Sequence, residues 1–384
     1  MTARGRVVRL LIAPDKFKGT FTAAVVCALL SRGVLEARPD WEVDTQPLAD
    51  GGEGTLDALL AAFGGTRIPV TVRGPLGDPV TEEWALSEDG AALVESARYC
   101  GLDRIPVARR DPLRATSYGL GEAIATALDA GARRFLIGLG GVATVDGGAG
   151  MARALGFRLE DGEGNELDGS PASLGSLNRV DASMAHPALA LSRFTVLCDV
   201  RNPLIGPEGA ARVFGPQKGA DPRAVEELEA ALHQVAESMA PLRGMSADAL
   251  RGLPMGGAAG GLGAGACCFL KGDLQPGAIF LARRLLSPAR IDEADVVVTG
   301  EGSLDRQTAG GKVVAAVLEA AQASGRPAIV VAGRWDGTLP APAPRGVVVV
   351  GPGPDPRLLT AADLVTLGGR VAEIAAGMAN PGGE

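Results

Sequence analysis

The chain has 384 residues, a formal net charge of −8, 46% hydrophobic residues, 21% charged residues and only 4% aromatics. That length is too great for one ordinary core and predicts two domains, and the balance is that of a soluble globular protein. An acidic surface with few rings argues against a nucleic-acid partner, which would want a basic stripe and stacking platforms. The two histidines, His186 before a proline and His233 in a polar helix, argue against a Ser-His-Asp hydrolase or a histidine-rich zinc site.

The apolar start Val7–Ala13 is short and runs into Pro14, Asp15 and Lys16. It reads as a buried strand and not as a leader or a membrane span, so a cytoplasmic protein with no membrane partner is expected. A helix capped by Thr20 or Thr22 follows to about Glu36, then a strand over Val43–Ala49, the loop Asp50-Gly51-Gly52-Glu53-Gly54 and a short helix Thr55–Phe63. Two successive βα units predict parallel strands. From Arg67 to Glu95 apolar and polar residues alternate around turn signals, which predicts a β-meander. Helix, strand, glycine loop and helix follow over Ser117–Leu155, then a hairpin over Phe157–Leu167, a strand over Phe194–Val200 and a helix over Asp221–Met239. Near Ile291 the βα texture returns: strand Ala294–Thr299, loop Gly300–Ala309, helix Gly311–Ser324, strands Ala328–Ala332 and Val347–Val350, and a last helix Ala361–Met378. The expected fold class is α/β. A Rossmann-like parallel domain is built from both chain ends (1–65 and 291–384), and a second α/β domain with a mixed sheet (66–290) is inserted into it. The five cysteines show no CxxC pair and read as reduced thiols.

Of the 37 basic residues only five are lysines: Lys16, Lys18, Lys218, Lys271 and Lys312. In so arginine-rich a chain, a retained lysine marks a place where a compact ammonium is wanted, and four of the five sit in glycine-rich segments. Ligands of open α/β sheets bind beyond the carboxyl ends of the strands, so the strand-end loops are the candidates. Asp15-Lys16-Phe17-Lys18 enters a helix and suits a carboxylate or phosphate, or is simply a charged turn. Asp50, Gly51, Gly52 and Glu53 combine close backbone approach with acids that accept hydroxyls or face a metal. The loop Gly138–Gly148 could cradle phosphates on backbone amides, although its spacing is not the dinucleotide fingerprint. Asp199 ends a strand with Asn202 and Lys218 nearby, which are the parts of a phosphoryl-transfer site or of a capped turn. Gly256–Gly265 reads rather as tight helix packing. Glu301 and Asp305 are candidate Mg²⁺ ligands, and no Walker A spacing precedes Lys312. Paired acids, isolated lysines and glycine loops suit phosphoryl transfer, which needs positioning and charge stabilisation more than covalent chemistry.

In order along the chain, Ala13–Gly19, Ala49–Thr55, Thr116–Gly119, the Gly140–Gly150 loop, Asp199 with Asn202-Pro203-Leu204, Phe214–Gly219, Gly257–Gly263 and Gly300–Gln307 resemble the bacterial type I glycerate kinase family. The resemblance covers nearly the whole chain. It implies two α/β domains around a central cleft and phosphorylation of D-glycerate by ATP with Mg²⁺, to 2-phosphoglycerate rather than 3-phosphoglycerate. A kinase for another small hydroxy acid, or a non-catalytic two-domain binding protein, is the alternative. By this resemblance Asp15, Lys16, Lys18, Asp50, Gly51, Gly52 and Glu53 hold glycerate. Asp199 is the base and Lys218 stabilises the transferring phosphoryl group. Ser117, Gly140, Gly141, Thr144, Asp146, Gly147 and Gly148 bind the nucleotide, and Glu301 and Asp305 position the metal. One departure stands out: Val142 and Val145 occupy positions where the family pattern has Ser and Asn. The loop is therefore expected to contact its ligand through backbone amides, or to bind it with altered affinity.

Overall fold

The computed structural model describes residues 7–304, 313–335, 337, 347–351 and 359–379. In chain order the strands are β1 (Arg9–Ile12), β2 (Glu42–Thr45), β3 (Gly65–Arg73), β4 (Pro79–Ser87), β5 (Ala92–Glu95), β6 (Arg134–Gly138) and β7 (Arg158–Glu160). They continue with β8 (Arg179–Asp181), β9 (Arg193–Cys198), β10 (Asp273–Pro276), β11 (Val296–Leu304), β12 (Ala328–Trp335) and β13 (Val347–Val350). The fold is α/β with parallel sheets, in two compact units: Met1–Asp50 with Ala278–Glu384, and Gly51–Gly277.

The first unit holds the sheet β13-β12-β11-β1-β2, parallel at every pairing. An all-parallel sheet is covered on both faces, so its central strands are apolar throughout. Leu10, Leu11, Ile12, Val296, Val297 and Val298 are accordingly all buried. Leu10, Ile12, Val296 and Val298 pack with Val26 and Leu30 of helix Ala23–Ala37 and with Leu367 and Val371 of helix Ala361–Ala379. These two helices approach closely at Gly33 and Gly368. A Cβ on Gly33 would lie 1.9 Å from the carbonyl oxygen of Val365 and 3.0 Å from the Cα of Gly368. Substituting Gly33→Val is expected to push the helices apart and lower the unfolding free energy by about 1–3 kcal/mol, seen as a lower urea midpoint at unchanged slope.

Two strand boundaries differ from expectation. β2 ends at Thr45 and not at Ala49, although backbone contact with the chain leaving β1 continues, Gln46 N donating to Ile12 O at 2.9 Å and Leu48 N to Pro14 O at 3.0 Å. β11 runs on through Gly300–Leu304, where a loop was expected, and pairs with β12 as far as Trp335. Its glycines serve close strand packing: a Cβ on Gly300 would meet the carbonyl oxygen of Val331 at 2.2 Å.

The second unit holds the sheet β10-β9-β6-β5-β4-β3. β10, β9, β6 and β5 are parallel, while β4 and β3 add the antiparallel meander at one edge. The turn at Asp161–Asn165 closes, with Leu167 N donating to Leu159 O at 2.7 Å. The expected hairpin thus forms, Glu160 pairing antiparallel with Glu166, and β7 also pairs with β8 as its ladder partner. Both unit boundaries fall before the expected 65/66 and 290/291. Helix Thr55–Phe63 packs on β4 and β5 of the second unit, and Arg290 Nη2 donates to Asp44 of the first at 2.7 Å. All five cysteines are free and buried. Among the described residues no helix is long and apolar enough to cross a membrane.

Candidate functional site

In the first unit the expected ligand groups gather at the carboxyl ends of β1 and β11. The chain leaving β1 stays registered on β11, since Ala13 N donates to Val298 O at 2.7 Å and Asp15 N to Gly300 O at 2.9 Å. Asp15 is buried and its carboxylate accepts from Lys16 N at 2.7 Å. Lys16 Nζ pairs with Asp50 at 3.0 Å, with both side chains part-exposed. Lys18 is exposed, and its backbone N lies 3.3 Å from where a Cβ on Gly302 would sit. Glu301 is buried on β11 opposite Ala332. Asp305, its expected partner, lies outside the described residues. Among the described residues no group of three or more His, Cys, Asp or Glu is placed to hold a metal.

In the second unit three backbone segments meet at the carboxyl ends of β6 and β9. A Cβ on Gly51 would lie 3.0 Å from the carbonyl carbon and oxygen of Leu197, one on Gly138 would lie 2.5 Å from Gly51 O, and one on Gly140 would lie 3.0 Å from the Cα of Gly52. Side chains at these positions would hold the segments apart. Asp199 follows β9 directly and is half-buried beside this junction; Glu53 is exposed. Asn202 turns to its own loop, donating from Nδ2 to Glu208 O at 2.7 Å.

The loop after β6 is mostly interior. Gly141 is exposed and Gly140 part-exposed, whereas residues 142–148 are buried. Val142 and Val145 pack in the apolar core, so the two departures from the family pattern are inward-facing. Asp146 is fully buried and acts as the hub of the loop. Its carboxylate accepts from Ser117 N and Ser117 Oγ at 2.7 Å each, Gly148 N at 3.1 Å and Gly150 N at 3.2 Å. Ser117 Oγ in turn accepts from Met151 N at 2.9 Å. The side chains of Ser117 and Asp146 are thus committed to holding the loop, as are the backbones of Gly147 and Gly148. Gly147 N donates to Gly260 O at 3.1 Å, and a Cβ on Gly148 would lie 3.0 Å from the Cα of Gly265. The stretch Gly256–Gly265 is this packing surface. Ala259, Gly260 and Gly261 take left-handed φ of 53°, 70° and 91°, and a Cβ on Gly260 would strike Thr144 O at 1.9 Å.

Lys218 lies elsewhere than expected. It is buried, and its Nζ donates to Thr144 O at 2.7 Å, so it braces the loop from beneath and does not project from it. Burial lowers its ammonium to about 8, with Cys100 and Asp146 pulling the other way. A lysine whose folded pKa is depressed below its unfolded value leaves the unfolded chain holding more protons between those two values. Its contribution to stability therefore rises with pH across that window and is lost as pH falls through about 8. The stability of the wild type relative to Lys218→Met is expected to rise by roughly 2 kcal/mol from about pH 7 to about pH 9.5 in paired urea titrations.

Two residues of this region are not expected from the sequence. Glu95, the last residue of β5, is buried, and its carboxylate accepts from Gly54 N at 3.2 Å and Leu56 N at 3.1 Å. It caps helix Thr55–Phe63, whose own N-cap is Gly54 with φ 91° and no side chain to offer. Burial pushes the Glu95 carboxyl up, while the two amide donors and Arg98 pull it down. Ser96 Oγ lies 3.2 Å from both the N and the O of Gly140. The available signal was an acid and a hydroxyl closing the short apolar run Ala92-Leu93-Val94.

The sequence matches the glycerate kinase family over residues 10–352. It is 41% identical to the glycerate 2-kinase of Escherichia coli K12 over 327 residues, 85% of each chain. It is 40% identical to the glycerate kinase of Bacillus subtilis 168 over 327 residues, again 85% of each. A crystal structure of a candidate glycerate kinase 2 from Salmonella typhimurium LT2 superposes with a TM-score of 0.82 at 39% identity, covering 96% of this chain and 98% of that one. On a match that spans most of the sequence and both structural units, the chain belongs to the glycerate kinase family.

Proposed function

We propose that the chain is a cytoplasmic glycerate kinase that transfers phosphate from ATP, with Mg²⁺, to D-glycerate, on the 2-hydroxyl in preference to the 3-hydroxyl. The observation that carries this reading is the junction in the second unit. There the acid-bearing glycine loop, the loop tip Gly140–Gly141 and the strand leading to Asp199 come together at glycines whose backbones approach closely. The exposed backbone of Gly141, at φ 65°, suits phosphate oxygens. Around it, Asp199 accepts the proton of the attacking hydroxyl. Ser117, Thr144, Asp146, Gly147, Gly148 and Lys218 fix the shape of the nucleotide loop from within.

In the first unit Lys16 and Lys18 receive the glycerate carboxylate, and Asp15 and Asp50 set the lysines. The amides of Gly51 and Gly52 and the carboxylate of Glu53 orient the hydroxyls. Glu301 supplies one carboxylate to a metal that ordinarily keeps several waters, and Asp305 is its proposed companion. When bound, that metal neutralises charge on the phosphates. Neutralising Lys16 as Lys16→Met is expected to raise the KM for glycerate by roughly 10- to 100-fold with a much smaller change in the KM for ATP, because it removes a charge-assisted contact.

Coupled ADP release from Mg-ATP with D-glycerate tests the reading, and ³¹P and ¹H NMR of the product assigns the position. Turnover with D-glycerate supports it. Silence on glycerate with turnover on another hydroxy acid keeps the kinase and discards the substrate, and silence on every acceptor favours the binding-protein alternative.

A further inference from the structure

Glu95 and Ser96 are adjacent in sequence, both buried, and each is bonded to a different ligand loop. Glu95 holds Gly54 and Leu56 at 3.2 and 3.1 Å, and Ser96 holds Gly140 by N and O at 3.2 Å. The two loops also touch one another, with Gly140 against Gly52. The three contacts close a triangle whose fixed corner is the end of β5, a strand locked between β4 and β6. Within the first loop, Thr55 N and Oγ1 donate back to Gly52 O at 3.3 and 2.7 Å.

We propose that Glu95 and Ser96 are a positioning pair that fixes the Gly51–Gly54 loop against Gly140, and through it the placement of acceptor relative to donor phosphate. This rests on the functional reading above, in which the two loops hold glycerate and nucleotide. A carboxylate suits the corner because it accepts two amides that diverge around a helix N-terminus, where negative charge is favoured. An amide in its place keeps one acceptor and turns a donor toward an N–H. Ser96 suits the other corner because a single hydroxyl donates to Gly140 O and accepts from Gly140 N.

The test compares Glu95→Gln and Ser96→Ala with the wild type in full steady-state kinetics and in native amide exchange. For Glu95→Gln the expected result is a roughly tenfold rise in the KM for glycerate, with the KM for ATP nearly unchanged. Faster exchange should be confined to residues 51–56. For Ser96→Ala the KM for ATP should rise instead, with faster exchange around Gly140. A lower melting temperature with both KM values and both exchange patterns at wild-type levels would mean a merely structural role and overturn the proposal. Should Glu95→Gln fail to fold, Ser96→Ala decides alone, since it removes one hydroxyl and leaves the cap on helix Thr55–Phe63 intact. Wild-type enzyme inactive on glycerate would sink the functional reading, and the exchange patterns would still decide the positioning claim.

Discussion

Replacing Asp199 by Asn is expected to reduce kcat by about 10²- to 10⁴-fold while leaving the melting temperature within a degree or two of the wild type, the range lost when a general base is removed. The residue stands one step beyond β9, and β9 is held on both sides by β6 and β10, so its Cα is fixed by the ladder. Two residues earlier, the backbone of Leu197 abuts the position of a Cβ on Gly51 at 3.0 Å. That contact brings the acid-bearing loop to the same strand end. The half-buried carboxylate there stands beside the loop proposed to hold the acceptor hydroxyl. Asn keeps the size and the hydrogen-bonding shape, so the loss should fall on kcat and not on stability. KM for glycerate should move little if Asp199 acts chiefly in the transition state. A variant that turns over at near-normal rate would remove Asp199 as the base and leave Asp50 or Asp305 to be tested in the same way.

How far the sequence exposes this site depends on the distance over which each interaction is made. Strand-end acids are legible because a run such as Val7–Ala13 followed by Pro14-Asp15-Lys16 states both the strand and its exit, and the chemistry lies within three residues of the boundary. The central strands of the first unit are legible for a related reason, since burial on both faces leaves an unbroken apolar run. Glycine that serves packing and not turning is harder to tell apart by composition. Gly300 and Gly302 suggest a loop by composition, yet they continue β11, and at Gly300 the backbone of Val331 passes too close for a side chain. Lys218 was least legible. Its partner Thr144 O lies 74 residues away, and nothing local distinguishes an ammonium facing a ligand from one bracing a loop. Glu95 escaped for the same reason, its bonds spanning 41 and 39 residues. The valines at 142 and 145 show the converse. Judged by residue type they remove two polar contacts, whereas in the fold they point into the core and leave the exposed tip of the loop unchanged.

The largest stability effect is expected at Asp146, because there a buried carboxylate organises a whole loop. Its four hydrogen bonds come from donors only: three backbone N–H groups and the Ser117 hydroxyl. Substituting Asp146→Asn keeps the volume but turns an NH₂ toward at least one of them. Placed at Oδ2 it opposes Ser117 N and Gly150 N; placed at Oδ1 it opposes Gly148 N. Ser117 cannot relieve the conflict by rotating its hydroxyl, because the backbone amides remain and its oxygen already receives Met151 N. A buried donor left facing a donor forfeits its full desolvation cost, so a loss of about 3–5 kcal/mol is expected, a large share of the roughly 5–15 kcal/mol that folded domains have. Urea unfolding measures it, with Ser117→Ala as the graded comparison at about 1–3 kcal/mol, since that change removes one donor to the carboxylate and the acceptor of Met151 N but leaves the carboxylate in place. If the loop serves the nucleotide, the surviving folded Asp146→Asn enzyme should also show a raised KM for ATP and an unaltered KM for glycerate. A variant as stable as the wild type would show that the loop is held by its contacts with Gly260 and Gly265 and not by its acid.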